Sequence, residues 1–262
     1  MKIITLNIAG RTNFGRDFDE RMASIAEFLD REQADIVCMQ EMTFDDLGSL
    51  ADKINAMMKN PYPNVSAEMS EKWTFDRFTE SAKKRWAAGL FEHADDYLTD
   101  GLAVLSKSKI IKTEVIRLTA APTDNNGRPD NRVRIAQNVD FEDGLKISNV
   151  HFATNNNGHL QLYELVGKID GDRLIVGDFN IPHQHVTVHG NVEISGMQDF
   201  KNIWCDKYND STEFSDYVSF PDDNTAFDHL LLPKNYRFIS IRTIDGLSDH
   251  SAVVFEIERI SD

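Results

Sequence analysis

Apolar and polar positions along this chain switch between two periods, and the switches mark out its elements. Residues 2–8 alternate Ile4, Leu6 and Ile8 against Ile3, Thr5 and Asn7, a strand pattern that runs into the turn Ala9-Gly10. Met22, Ile25, Ala26 and Leu29 then follow the i, i+3, i+4, i+7 stripe of an amphipathic helix. A second strand is expected from Asp35 to Met39, closed by Gln40-Glu41. Residues 45–59 read as a helix through Leu47, Leu50, Ile54 and Met57 or Met58, stopped by Asn60-Pro61-Tyr62-Pro63. Residues 64–100 fit neither period. They read as an insertion, partly helical, in which Trp73 and Trp86 pack inward in preference to stacking on a base or a lipid headgroup.

Two strands follow, Gly101 to Leu105 and Lys109 to Leu118, joined by a tight turn at Ser106-Lys107-Ser108. Residues 119–130, with Asn125-Asn126, a glycine and prolines, read as a loop. Arg132 to Phe141 and Leu145 to His151 form a hairpin about Glu142-Asp143-Gly144. A helix is expected from about His159 to Ile169. Leu174-Ile175-Val176 then makes an unbroken apolar run that fits a strand buried on both faces. It stops at Gly177-Asp178-Phe179-Asn180: a glycine for the sharp turn, then an acid and an amide pointing out of the sheet edge. Residues 181–206 hold a His-rich loop and a short helix with Trp204. Strands at 226–232, 236–244 and 251–260 complete the pattern. Many strands with few helices predict two sheets packed face to face, helices outside, in one domain over residues 1–262.

Composition narrows this picture little. The chain is 41% hydrophobic and 27% charged, an ordinary globular balance, and no apolar run approaches the roughly 20 residues of a membrane helix. Stable membrane insertion is therefore not expected. The N-terminus enters a strand directly, without the apolar core of a signal peptide, so the expected location is cytoplasmic first and, second, that of a secreted mature form trimmed of its signal. Cys38 and Cys205 offer neither a disulfide framework nor a metal cluster, and Cys38 reads as a small buried apolar residue. Nothing indicates a protein partner. Charge says more. A net charge of -15 repels polyanions and disfavours non-specific clamping of duplex nucleic acid, unless a basic patch or a bound cation reverses the field locally.

The chemistry lies at the strand exits, where Asn7, Glu41, His151, Asp178, Asn180, Asp228, Asp249 and His250 fall. Carboxylates gathered without a cation repel one another. An oxygen-rich, sulfur-free set suits a hard divalent cation, Mg²⁺ first and Mn²⁺ second, and suits zinc less because no His pair has helical ligand spacing. Such a set fits hydrolysis at phosphorus.

Six segments carry a family resemblance: Thr5-Leu6-Asn7, Gln40-Glu41, Asn149-Val150-His151, Gly177-Asp178-Phe179-Asn180, Phe227-Asp228-His229 and Ser248-Asp249-His250. Together and in this order they resemble the endonuclease/exonuclease/phosphatase superfamily. The resemblance implies an α/β fold, a four-layer α/β/β/α sandwich of two packed mixed sheets with helices outside. It also implies metal-dependent cleavage of phosphate esters. By position, Glu41 resembles the principal metal ligand, with Asn7 and Asp249 beside it. Asp178 resembles the residue that orients or deprotonates the attacking water, and Asn180 the one that holds that water or the phosphate. His250, paired with Asp228, resembles the imidazole at the scissile phosphate, and His151 the second histidine of the deoxyribonuclease-like and sphingomyelinase-like branches.

Substrate class is less sharply marked. Gly101 to Ser106 and Arg132 to Phe141 look more like compact bacterial phosphodiesterase or sphingomyelinase-like members than abasic-site repair enzymes. With the acidic balance, this places a small-molecule or headgroup phosphodiester first and nucleic acid second. A non-catalytic binding module on the same fold predicts losses among the key residues, and none is lost. His183, His185 and His189 read as a solvated polar loop in preference to a substrate mouth or second metal site. Arg128, Arg132 and Arg134 are equally suited to a structural ion pair and a phosphate contact.

Overall fold

The computed structural model describes residues 1–10, 17–45, 48–74, 97–119, 133–154, 157–182 and 207–260. In chain order the elements are β1 (Lys2–Asn7), α1 (Phe18–Glu32), β2 (Ile36–Gln40), β3 (Phe44–Asp45), β4 (Gly48–Ser49), α2 (Leu50–Met57), β5 (Asn64–Thr74), β6 (Tyr97–Ser106), β7 (Ile110–Leu118), β8 (Arg134–Phe141), β9 (Lys146–His151), α3 (Asn157–Val166), β10 (Leu174–Asp178), β11 (Tyr208–Asp210), α4 (Ser211–Phe214), β12 (Asp228–Pro233), β13 (Tyr236–Ile244) and β14 (Ala252–Arg259). They build two six-stranded sheets, ordered β13-β14-β1-β2-β6-β5 and β11-β12-β10-β9-β8-β7. Each sheet has one parallel pair at its centre, β1 with β2 and β9 with β10, and every other pairing is antiparallel.

Side-chain alternation along the central strands explains the layering. Ile4, Leu6, Val37 and Met39 point to one face of the first sheet and pack under Met22, Ile25 and Leu29 of α1 and Leu50 and Ile54 of α2. Ile3, Ile36 and Cys38 point the other way and meet Val139, Ile147, Leu174, Val176 and Leu230 of the second sheet. Ile175, Val150 and Leu231 leave that sheet's far face and pack under Leu162 and Leu165 of α3. The run Leu174-Ile175-Val176 is thus apolar throughout because both of its faces are covered. The result is the four-layer α/β/β/α sandwich.

The structure departs from the expected elements in several places. Residues 45–59 do not start as helix: β3 and β4 pair first. Ser49 and Asp52 then close a capping box that delays α2 to Leu50. At both ends of residues 64–100 the partly helical insertion gives way to strand, since β5 pairs with β6 along the edge of the first sheet. An edge strand needs little apolar surface, so Asn64–Thr74 carries no clear period. Residues 75–96 lie outside the described residues, as does Trp86, and Trp73 is described only by its place in β5. The turn at Ser106-Lys107-Ser108 is not a hairpin, because β6 and β7 belong to different sheets and the chain crosses between layers there. The 134–151 hairpin forms as read, and α3 begins at Asn157. Among the described residues, no helix is long and apolar enough to cross a membrane.

Candidate active site

Along the layer between the sheets the side chains change character from one end to the other. The closed end is apolar. Next comes a belt of buried amides: Thr5 Oγ1 donates to Gln40 Oε1 (3.2 Å), and Gln40 Nε2 donates across the seam to Asn149 Oδ1 (2.8 Å). Asn149 Nδ2 in turn donates to the carbonyls of Met39 (3.1 Å) and Ala103 (3.0 Å), so an amide of the second sheet is tied to two strands of the first. At the open end, with the same strand parity, stand Asn7, His151, Asp178 and Asp228. The register places them: Asp178 lies opposite both His151 and Asp228 on its two neighbouring strands.

Backbone conformation at these exits is unusual. Glu41 and Asn180 both hold left-handed φ angles, 54° and 51°. Such values are uncommon outside glycine and gather at functional sites. Gly177 has φ 141°, and a Cβ there would meet the Val150 carbonyl oxygen at 2.0 Å. Only glycine allows β9 and β10 to close at that point. Asn180 is tied back through its own N–H to Asp178 Oδ1 (2.8 Å) and through Nδ2 to the Phe152 carbonyl (2.9 Å).

Asp178, 1% exposed, faces the seam between the sheets instead of pointing out of the sheet edge. Its Oδ2 accepts from Asn7 Nδ2 (3.0 Å) and lies 3.6 Å from His151 Nε2 and 3.8 Å from His250 Nε2. His250 Nδ1 meets Asp228 Oδ2 at 2.8 Å, and the Phe220 ring packs against the imidazole at 4.9 Å between centroids. Asp228 is fixed from behind, its N–H donating to Ser219 Oγ (3.0 Å) and its carbonyl accepting from Tyr217 Oη (2.7 Å). Arg134 Nη1 is 2.8 Å from His151 Nδ1 and 3.5 Å from Asp100 Oδ2.

Electrostatics follow from this packing. Burial works against charge on His250, but the carboxylates of Asp228, Asp178 and Asp249 overcome it and raise the imidazole to about 10. Burial raises Asp178 above the ordinary carboxylate range, Asp228 adds to the rise, and His250 and the Asn7 hydrogen bond oppose it. Half-buried Glu41 is pushed up to about 7 by desolvation and by the charges of Asp100 and Asp249. Asp228 Oδ1 is buried without a hydrogen-bond partner among the described residues. Carboxylates held this way, with an unsatisfied oxygen among them, match what a divalent cation relieves, and the donor set is hard oxygen plus imidazole. Asp178, Asp228 and His250 each offer a ligand atom within 4.8 Å of the others, a spacing that would suit a metal ion once the His250 ring is neutral.

The strand exits thus bring together Asn7, His151, Asp178, Asp228 and His250 in direct contact. Glu41 and Asp249 stand at the rim, within electrostatic reach of one another. Asn7 turns its amide nitrogen toward Asp178 and Glu41, while its Oδ1 accepts the Ala9 N–H (2.9 Å). Asp249 Oδ1 accepts from Ser248 Oγ (2.9 Å). His183, His185, His189, Arg128 and Arg132 lie outside the described residues. Asp100 was not singled out by sequence reasoning, although Asp100-Gly101 at a strand bend was a signal available to it. For Arg134 the structure supplies an ion pair together with an imidazole contact.

Two packed mixed sheets whose strand exits gather acids, amides and imidazoles define an α/β/β/α sandwich with a polar cluster at one end. The sequence matches the Endonuclease/Exonuclease/phosphatase family over residues 4–250, and the chain belongs to that family, whose members are hydrolases acting on phosphate esters. No curated protein sequence matches it. Solved structures share the fold at low identity. One is an endonuclease/exonuclease/phosphatase from Beutenbergia cavernae (TM-score 0.72, 16% identity, covering 99% of this chain and 71% of that one). A second is a mannosyl-6-phosphatase from Bacteroides thetaiotaomicron (0.63, 14%, 98% and 99%). A third is D. rerio TDP2 complexed with single-strand DNA product (0.61, 15%, 98% and 98%).

Proposed function

We propose that this protein is a Mg²⁺-dependent phosphodiesterase acting on a small-molecule or headgroup phosphodiester by in-line attack of water. The observation that carries the reading is Asp178 buried between two imidazoles, with Asp228 anchoring one of them at 2.8 Å. Glu41, Asn7 and Asp249 would hold the cation, Mg²⁺ first and Mn²⁺ second. When bound, the cation neutralises phosphate oxygens and makes phosphorus more open to attack. Asp178 accepts the proton of the attacking water, its raised proton affinity suiting it to that role near neutral pH. Asn180 holds the water or a phosphate oxygen. His250, kept as imidazolium by Asp228, donates to the phosphate and stabilises the charge that builds there. His151 supplies a second N–H from the opposite side.

Diester preference and substrate class rest on the likeness of Gly101 to Ser106 and Arg132 to Phe141 to compact phosphodiesterases and on the net charge of -15, which opposes a polyanion. The test is Mg²⁺-dependent hydrolysis of bis-p-nitrophenyl phosphate against p-nitrophenyl phosphate, with Asp178→Ala and His250→Ala as controls. Diester turnover lost in both variants is the expected result. Turnover of the monoester alone would make the protein a phosphatase. Faster cleavage of single-stranded or duplex DNA than of the small diester would favour a nuclease. Turnover of none of them by folded, metal-loaded protein would support the non-catalytic module.

A further inference from the structure

We propose that Arg134 is a positioning residue that holds His151 as a neutral imidazole protonated on Nε2, making it a fixed hydrogen-bond donor that keeps its proton. This rests on the phosphodiesterase reading for its catalytic consequence, though not for its structural content.

The argument is one of donors and acceptors. Arg134 Nη1 and His151 Nδ1 are 2.8 Å apart, and both residues are buried, 3% and 5% exposed. A guanidinium carries only N–H donors and stays charged in proteins. The atom facing it must therefore offer a lone pair, so Nδ1 bears no hydrogen. The ring's single N–H is then on Nε2, the atom that lies 3.6 Å from Asp178 Oδ2. A second positive charge on the ring would also sit against the guanidinium in a buried setting, which is costly.

Arg134 is itself held in place. Asp100 Oδ2 lies 3.5 Å from Nη1, and the Asp100 carbonyl accepts from Ser70 Oγ at 2.9 Å. A register shift between Met69 and Glu71 marks a bulge at that point in β5. Bulges at sheet edges beside active sites re-aim side chains. The edge of the first sheet thereby braces a guanidinium rooted in the second.

The two imidazoles flanking Asp178 consequently differ in kind. His250 Nδ1 faces a carboxylate acceptor, Asp228 Oδ2 at 2.8 Å, whereas His151 Nδ1 faces a guanidinium donor at 2.8 Å. Both turn Nε2 toward Asp178 Oδ2, His151 at 3.6 Å and His250 at 3.8 Å. In the reaction, His151 donates a hydrogen bond to a phosphoryl oxygen while the proton of water passes to Asp178.

The test reads the ring directly. Long-range ¹H–¹⁵N correlation spectra of the full chain at neutral pH resolve histidine tautomers, with the His151 signals assigned by their loss in His151→Gln. An Nε2–H pattern in the wild type that collapses to a tautomer mixture in Arg134→Met is the expected result. An Nδ1–H or imidazolium pattern in the wild type overturns the proposal, as does an Nε2–H pattern unaltered in Arg134→Met. Should Arg134→Met fail to fold by circular dichroism, Arg134→Gln takes its place, because an amide can face Nδ1 with either a donor or an acceptor and so no longer fixes the tautomer. Kinetics give an independent arm. Arg134→Met should lower kcat for the diester roughly 10- to 100-fold, with KM changed little, the cost typical of losing a group that orients a histidine. The double variant with His151→Gln should be no slower than His151→Gln alone, whereas additive losses would mean that Arg134 acts through the fold and not through His151. A wild type that turns over no ester removes the phosphodiesterase reading and leaves the ring pattern to decide the role of Arg134.

Discussion

At the scale of single residues, the strand exits trade backbone comfort for side-chain placement. Asn180 sits at φ 51°, a conformation glycine adopts freely and alanine does not. Asn180→Gly should therefore cost stability only about 1 kcal/mol, the worth of its bond to the Phe152 carbonyl, while kcat falls about 100-fold or more. Asn180→Ala should lose comparable activity and more stability. If the two variants unfold at the same urea midpoint, the left-handed backbone is not what selects Asn180. Gly177 is the stricter case. Its φ of 141° and the 2.0 Å approach of the Val150 oxygen leave no space for a methyl group, so Gly177→Ala should cost at least about 1–3 kcal/mol and shift the unfolding midpoint accordingly. The places of Gly177, Asp178 and Asn180 were legible, because a short apolar run that stops at Gly-Asp-Phe-Asn marks a strand exit, and the recurrence of polar residues at other strand exits set it apart from an ordinary turn. The orientation of Asp178 was not. A turn motif marks where an acid falls, whereas the packing of the opposite sheet decides whether that acid is covered.

At the scale of elements, the amide belt sets how the sheets register. Replacing Asn149 with leucine would leave Gln40 Nε2 and the Met39 and Ala103 carbonyls without their present partner. At about 1–3 kcal/mol for each buried group left unsatisfied, Asn149→Leu should destabilise by about 3 kcal/mol or more in urea unfolding. A loss under about 1 kcal/mol would mean that the belt relaxes or takes in water. Helix α1 is tied to the first sheet by charge as well as by packing. Glu32 receives Lys2 Nζ at 3.5 Å and pairs with Arg242 of β13. Burial works to raise the Glu32 carboxyl, but Arg242 and Lys2 prevail and hold it below its ordinary value. A lowered folded-state affinity for protons means stability that is present above the unfolded value of about 4.3 and is lost as pH falls through the folded one. Glu32→Gln should flatten the acid limb of the stability profile below about pH 4.5 and change little at pH 7 beyond the lost pairing. An unaltered acid limb would place that sensitivity elsewhere.

The elements that sequence reading missed share a physical cause. Strand β5 runs Asn-Val-Ser-Ala-Glu-Met-Ser-Glu-Lys-Trp-Thr along a sheet edge. An edge asks for hydrogen bonding more than for apolar alternation. The central strands, covered on both faces, left an apolar signature that could not be mistaken. Asp100 and Arg134 come together from strands in different sheets, and no local spacing announces such a meeting.

At the scale of the whole molecule, acidity is concentrated where it is most costly. Glu41 stands pushed up to about 7 beside Asp100 and Asp249 in a chain of net charge -15. A divalent cation bound there should raise the unfolding free energy by about 2.7 kcal/mol at a hundredfold excess over Kd, read as a saturable, chelator-reversible rise in Tm. Glu41→Gln should remove most of that rise. An equal rise in the variant would move the cation to the buried Asp178, Asp228 and His250 cluster.

The order of strands carries a last consequence, for how the protein comes into being. Strands β7 to β12 of the second sheet are contiguous in the chain, and β14 is wedged between β13 and β1 in the first. The segment that inserts this wedge also delivers Asp249 and His250. During synthesis a ribosome-bound chain can complete the second sheet once β12 has emerged, but it keeps a gap in the first sheet and an incomplete site until residues 236–259 follow. Such a chain exposes an unpaired β1 edge for most of its translation, and the protein acquires its chemistry only when that edge is sealed.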